Sequence, residues 1–227
     1  MPTIGEKLEQ VRQRIRNAER EYTRIPGSVQ LLAVSKTMPP EAVREAFDAG
    51  QTRFGENYLQ DAAPRMRALA GAAVEWHFIG PLQSNKTRAV AERFDWVHSI
   101  DRLKIARRLS EQRPAGRPPL QVCLQVNIST EATKAGVDPS ELADLAPAVA
   151  GLPGLCLRGL MCLPAPAAEF DAQRQPFRRL RELQEALCSR GLNLDTLSMG
   201  MSADLEAAIA EGATIVRVGT DIFGPRA

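Results

Sequence analysis

The chain has 227 residues, 44% of them hydrophobic and 25% charged, with 29 basic side chains against 27 acidic ones and a formal net charge of +2. This composition describes a globular protein with a sizeable core, expected to form a single domain over residues 1–227. Near-cancellation of charge, aromatics at 5% and arginines interleaved with glutamates leave no basic patch, which excludes nucleic acid as the expected partner.

The segment Met1 to Arg20 is charged and helical in pattern, unlike a signal peptide, and no run reaches membrane-spanning length. Cys123, Cys156, Cys162 and Cys188 show no metal-ligand spacing and read as reduced packing residues. A cytoplasmic protein with no metal and no membrane contact is therefore expected.

Apolar positions Ile4, Leu8, Val11, Ile15 and Ala18 recur every three or four residues, so the chain opens with an amphipathic helix over Thr3 to Arg24, ended by Pro26-Gly27. Short β-rich runs then alternate with helical segments. The strand candidates are Leu31 to Ser35, Thr52 to Gly55, Glu75 to Ile79, Trp96 to Ile100, Leu120 to Asn127, Leu155 to Met161, Thr196 to Ser198 and Thr214 to Val218. Helical segments fall at Pro40 to Ala49, Asn57 to Leu69, Ser84 to Phe94, Asp101 to Gln112, Pro139 to Ala150, Phe170 to Ser189 and Ala203 to Glu211. Alternation of this kind implies parallel strands with helical crossovers, and roughly eight strands imply a closed (β/α)8 TIM barrel carrying one extra N-terminal helix. An open doubly wound sheet is the alternative, but the Gly-x-Gly-x-x-Gly turn it would favour is missing. Arg113 to Pro119 and Pro164 to Ala167 read as loops within the barrel.

A barrel gathers its chemistry where the strands end. The first strand delivers Lys36, a long amine that is costly to bury without a partner. Gly200-Met201-Ser202 follows the seventh strand, with Ser202 placed to cap a helix beginning near Ala203. Gly219-Thr220 follows the eighth. Loops after strands seven and eight often hold a phosphate, so Met201, Ser202, Gly219 and Thr220 indicate a phosphorylated ligand. Singly, Ser202 needs only to cap its helix and Gly219 only to turn the chain; together, opposite a strand-end lysine, they point to a site.

A lysine amine titrates near ~10.4, and partial burial at the barrel mouth lowers that value and frees the nucleophile for a carbonyl. Pyridoxal 5'-phosphate offers both the carbonyl and the phosphate. Arg217, two residues before Gly219 on the inward face, either faces the pyridine nitrogen or makes a salt bridge across the barrel. Asn57 either touches the ring or phosphate or caps the helix starting there. His77 and His98 read as satisfied core residues, Lys86 and Lys134 as solvated loop lysines with an accessory phosphate role as the alternative, and Met161 as packing below the ligand.

Ala33-Val34-Ser35-Lys36-Thr37, Phe54-Gly55-Glu56-Asn57-Tyr58, His77 to Lys86, Ser198 to Ser202 and Val218 to Gly224 resemble the signatures of the pyridoxal phosphate homeostasis protein family over essentially the whole chain. The resemblance implies a barrel like the N-terminal domain of alanine racemase. It also implies pyridoxal phosphate held as an internal aldimine on Lys36, the phosphate on Ser202, Gly219 and Thr220, and Arg217 at the pyridine nitrogen. Met38 stands where relatives often have a second lysine, which argues against a relay of cofactor through such a lysine, and Cys162 stands where a small residue is usual.

Three functions compete on these residues. A carrier would hold pyridoxal phosphate for PLP-dependent apoenzymes without substantial turnover. A racemase needs a second acid/base group, which in the resembled enzymes is a tyrosine from an additional C-terminal domain; the chain ends at Ala227 soon after the eighth strand, and Tyr22 and Tyr58 are its only tyrosines. An aldolase needs an acid/base partner beside the lysine. An arginine at the pyridine nitrogen weakens the ring as an electron sink, so a carrier rather than an enzyme is expected; the short chain without a second domain favours a monomer.

Overall fold

The computed structural model describes residues 2–129 and 135–224, and Lys134 lies outside them. Among the described residues the chain runs α1 (Ile4–Glu21), β1 (Gln30–Val34), α2 (Pro40–Asp48), β2 (Arg53–Glu56), α3 (Leu59–Ala68), β3 (Glu75–Phe78), α4 (Thr87–Arg93), β4 (Trp96–Ile100) and α5 (Leu103–Gln112). It continues through β5 (Leu120–Gln125), α6 (Leu142–Ala150), β6 (Leu155–Met161), α7 (Phe170–Cys188), β7 (Thr196–Ser198), α8 (Leu205–Ala210), β8 (Ile215–Val218) and α9 (Thr220–Phe223). Neighbouring strands pair in parallel, and β1 meets β8 in the register Gln30↔Ile215 to Ala33↔Val218, closing the barrel β1 to β8. Closure overturns the open-sheet alternative. Each strand is buried on both faces, and a ring leaves no edge with unpaired backbone groups.

Strand one shows how the core divides. Leu31 and Ala33 pack outward among residues that meet the helices, whereas Leu32 packs inward with Trp96, Cys123, Met161 and Ile215. Met161 is fully buried in that inner cluster, matching its expected packing role.

α1 starts on a capping box in which Thr3 Oγ1 accepts the Glu6 N–H and Glu6 accepts the Thr3 N–H, pairing two otherwise orphaned donors. Its Leu8, Val11, Ile15 and Ala18 are buried as their spacing predicted. Buried Glu19 accepts the N–H groups of Gly27 and Val29, fixing the entry into β1.

The expected helix starts at Asn57, Ser84 and Ala203 fall at Leu59, Thr87 and Leu205 instead. The loops after β2, β3 and β7 are correspondingly longer at the barrel mouth. α9 was not foreseen, because a four-residue helix carries no periodic signal.

Candidate functional site

Lys36 lies in a turn directly after β1, half-buried, and the next residue, Thr37, has φ 68°. A β-branched residue in the left-handed region is an outlier that persists only where the surroundings over-determine it, at a cost of about 1–3 kcal/mol. The surroundings here are a buried network. Ser35 N–H donates to Gly55 O at 3.0 Å and Met38 N–H to Ser35 O at 3.0 Å, closing the turn. Ser35 Oγ donates to Glu56 Oε1 at 2.6 Å, while Arg65 donates to both Glu56 oxygens at 2.7 Å and to Met38 O at 2.8 Å. Both flanks of Lys36-Thr37 are thus tied to one ion pair whose side chains are 6% and 0% exposed.

The sequence reading missed Glu56 and Arg65 as supports. An acid inside an apolar strand was the available signal, since a buried carboxylate requires a cation.

The loop after β8 meets the strand end that leads into this turn. A Cβ at Gly219 would lie 3.2 Å from Val34 O, so the β8 loop approaches the backbone two residues before Lys36. Gly200 has φ +92°, and a Cβ there would lie 2.5 Å from the Ala208 Cβ, so only glycine lets the β7 loop pass over α8.

The expected cap at Ser202 is not formed. Asp204 occupies the position before α8, and its Oδ1 accepts the Met201 N–H at 2.6 Å, which folds the loop into a turn and starts the helix two residues later. Ser202 remains in that loop, half-buried and next to exposed Met201, while Thr220, after β8, is exposed as well. Arg14 of α1 braces both loops: it donates to Ser202 O at 3.0 Å and pairs with Glu206 at 2.8 Å and with Asp221 at 2.5 Å. Sequence patterning assigned α1 only a packing face and gave no sign of this contact.

Arg217 is buried and bonds to Ser198 Oγ and Cys162 O, each at 2.8 Å. Neither partner is a carboxylate, so the salt-bridge alternative is not what the described contacts show. Burial lowers its pKa from the usual arginine value, and part of its donor set is left for a ligand. Asn57 does not cap α3. Tyr58 holds the position before that helix without a side-chain bond, and Asn57 Oδ1 is buried with no hydrogen-bond partner.

Asn57, Tyr58 and Lys86 line a cavity of about 250 Å³ at the mouth. A larger cavity, about 730 Å³, opens between α1 and the N-terminal ends of β1 and β2, away from Lys36. His77 and His98 are indeed satisfied in the core, bonded to each other at 2.9 Å. Among the described residues no cluster of His, Cys, Asp and Glu is arranged to hold a metal ion, and no helix is long and apolar enough to cross a membrane.

A family model described as alanine racemase, N-terminal domain, matches residues 7–227. A pyridoxal phosphate homeostasis protein of Pseudomonas aeruginosa is 62% identical over 226 residues, spanning 100% of this chain and 97% of the relative. The solved structure of PipY from Synechococcus elongatus with PLP bound superposes with a TM-score of 0.85 at 39% identity, spanning 98% of this chain and 100% of that one. An alanine racemase of Corynebacterium glutamicum shares the fold at 20% identity and TM-score 0.68, with 95% of this chain matching 61% of that chain. On the strength of the profile match and the full-length identity, the chain belongs to the pyridoxal phosphate homeostasis protein family, built on the barrel of the alanine racemase N-terminal domain.

Proposed function

We propose that this chain binds pyridoxal 5'-phosphate at the mouth of its barrel, with Lys36 as the point of attachment, and serves intracellular homeostasis by holding the cofactor for apoenzymes without substantial turnover. The observation that carries the reading is the approach of Gly219 to Val34, which sets a glycine loop suited to a phosphate against the end of the strand that presents Lys36.

The residues fit the group. When bound, the cofactor supplies an aldehyde carbon for the lysine amine and a ring that absorbs negative charge. Met201, Ser202, Gly219 and Thr220 would take the phosphate, with Arg14 holding their loops in place. Arg217 would donate to the pyridine nitrogen, and Asn57, whose buried Oδ1 has no hydrogen-bond partner, would touch the ring or, through its amide N–H, the phosphate. The strained turn at Thr37 fixes Lys36 before the ligand arrives, so less ordering is needed on binding.

A guanidinium has no acceptor and keeps its charge, so Arg217 cannot assist protonation of the ring as a carboxylate would. This favours holding over racemisation. Tyr22 stacks on Phe170 at 6.2 Å on the helical layer, and Tyr58 is 56% exposed, so neither is a ready second base.

The test is the visible spectrum of the purified protein with added pyridoxal phosphate. A yellow band that survives dialysis, with no appreciable interconversion of alanine enantiomers, supports the carrier. A protein that stays colourless sinks the reading, and brisk interconversion replaces it with a racemase.

A further inference from the structure

Four polar side chains, Glu75, His77, His98 and Ser198, run through the barrel interior and end on Arg217. Glu75 Oε1 lies 2.9 Å from His77 Nε2, and His77 Nδ1 lies 2.9 Å from His98 Nε2. His98 Nδ1 then lies 2.7 Å from Ser198 Oγ, and Ser198 Oγ accepts from Arg217 Nη1 at 2.8 Å. Glu75 begins β3 and lines a cavity among the N-terminal ends of the strands, whereas Arg217 lies one residue from the C-terminal end of β8. The two histidines and Ser198 are fully buried.

The ends of this chain dictate the direction of every bond in it. Arg217 can only donate, and an ionised Glu75 can only accept. His77 must therefore carry its proton on Nε2, leaving Nδ1 to accept from His98 Nε2–H. His98 Nδ1 in turn accepts the hydroxyl proton of Ser198. One tautomer assignment satisfies every atom with both imidazoles neutral, and placing the His98 proton on Nδ1 would leave two bare nitrogens or a lone pair against the carboxylate.

The surroundings agree. Burial lowers the pKa of both histidines, that of His98 furthest, with His77 and Arg217 adding to the effect on His98. His77 is flanked by Glu75, Arg53 and Asp95, and the Trp96 ring stacks on it at 5.4 Å. The hydrogen bond from His77 holds the Glu75 carboxyl down at about 2, with Arg53 and Trp96 assisting.

We propose that Glu75, His77, His98 and Ser198 are positioning residues for Arg217, a one-way hydrogen-bond chain that fixes the guanidinium at the barrel mouth and ties it to an ionised carboxylate at the barrel's other end. The proposal rests on the placement of Arg217 at the cofactor's ring. It implies that a change at Glu75 is felt at the ring nitrogen across the width of the barrel.

The chain has 2 histidines, so 15N NMR of histidine-labelled protein reads the tautomers without ambiguity. At pH 7 both rings should be neutral and protonated on Nε2. A cationic ring, or a proton on either Nδ1, overturns the proposal. Ser198→Ala should weaken pyridoxal phosphate binding about tenfold or more, because an arginine donor and a histidine acceptor lose their common partner.

Glu75→Gln sits at the rim and guards against misfolding of the core variant. It should shift both imidazole spectra and the wavelength of the bound cofactor's visible band. A merely structural chain would change the melting temperature and leave the band in place, and that result also overturns the proposal. Should the wild type take up no pyridoxal phosphate, the reading of the site falls, yet the chain is still judged by the tautomers and by the Arg217 Nε–H resonance, which Glu75→Gln must move.

Discussion

Replacing Arg65 with alanine probes the support under Lys36. The Glu56 carboxylate, fully buried, would keep only the Ser35 hydroxyl at 2.6 Å in place of two guanidinium bonds at 2.7 Å. Stranding one member of a buried pair costs about 3–5 kcal/mol. For a chain of this size each kcal/mol lowers the melting temperature by about 2–4 °C, so Arg65→Ala should melt about 6–20 °C below the wild type by circular dichroism.

Replacing both partners, Glu56→Leu with Arg65→Met, removes the stranded charge and should recover most of that stability. It should not recover cofactor affinity. Without the ties to Ser35 and Met38, Thr37 relaxes by about 1–3 kcal/mol, and binding must then restore the turn, weakening the dissociation constant by about 5- to 150-fold in an absorbance titration. An Arg65→Ala melting point within about 2 °C of the wild type would refute the ion pair's role. A double variant with wild-type affinity would refute its link to Lys36.

Gly200→Ala meets both φ +92° and a contact of 2.5 Å with Ala208, so it should cost about 2–5 kcal/mol in denaturant unfolding. Gly219→Ala faces only a 3.2 Å contact with Val34 O, so it should fold nearly as well while losing affinity for pyridoxal phosphate. His77 and His98 are held below 6.5 by burial, so from about pH 6.5 downward the unfolded chain takes up protons that the folded chain refuses. Stability should then fall towards pH 5 by up to about 1.4 kcal/mol per pH unit for each histidine, and a flat profile over that window would show that the rings are not neutral and buried. Burial pushes the Cys123 and Cys162 thiols up to about 12, so mass spectrometry should find both unmodified by a thiol reagent at pH 8 until the protein unfolds.

Much of this architecture was legible because its signals are local. A run such as Leu31 to Val34, buried on both faces, can be read from its residues alone, and the strand ends then place Lys36, Asn57, Ser202 and Gly219 at one rim. What failed was competition between equivalent local signals. Ser202 and Asp204 are both good cap formers, yet Asp204, which holds the cap position, makes no side-chain cap bond to α8: its carboxylate turns back to accept the Met201 N–H.

The supports were hidden for a different reason. Ser198 meets His98 across 100 residues of chain and Arg14 meets Asp221 across 207, and no spacing rule links partners brought together only by closure of the barrel. The left-handed turn at Thr37 was equally invisible, since threonine is a poor residue for it and only the Glu56–Arg65 network makes it tolerable.

The central claim is that Lys36 holds the cofactor, and borohydride trapping tests it most directly. Protein incubated with pyridoxal phosphate, reduced and digested should carry the stable adduct on the peptide containing Lys36, and Lys36→Ala should yield no stoichiometric adduct. Stoichiometric labelling of another lysine such as Lys86, or an undiminished yellow band in Lys36→Ala, would contradict the assignment.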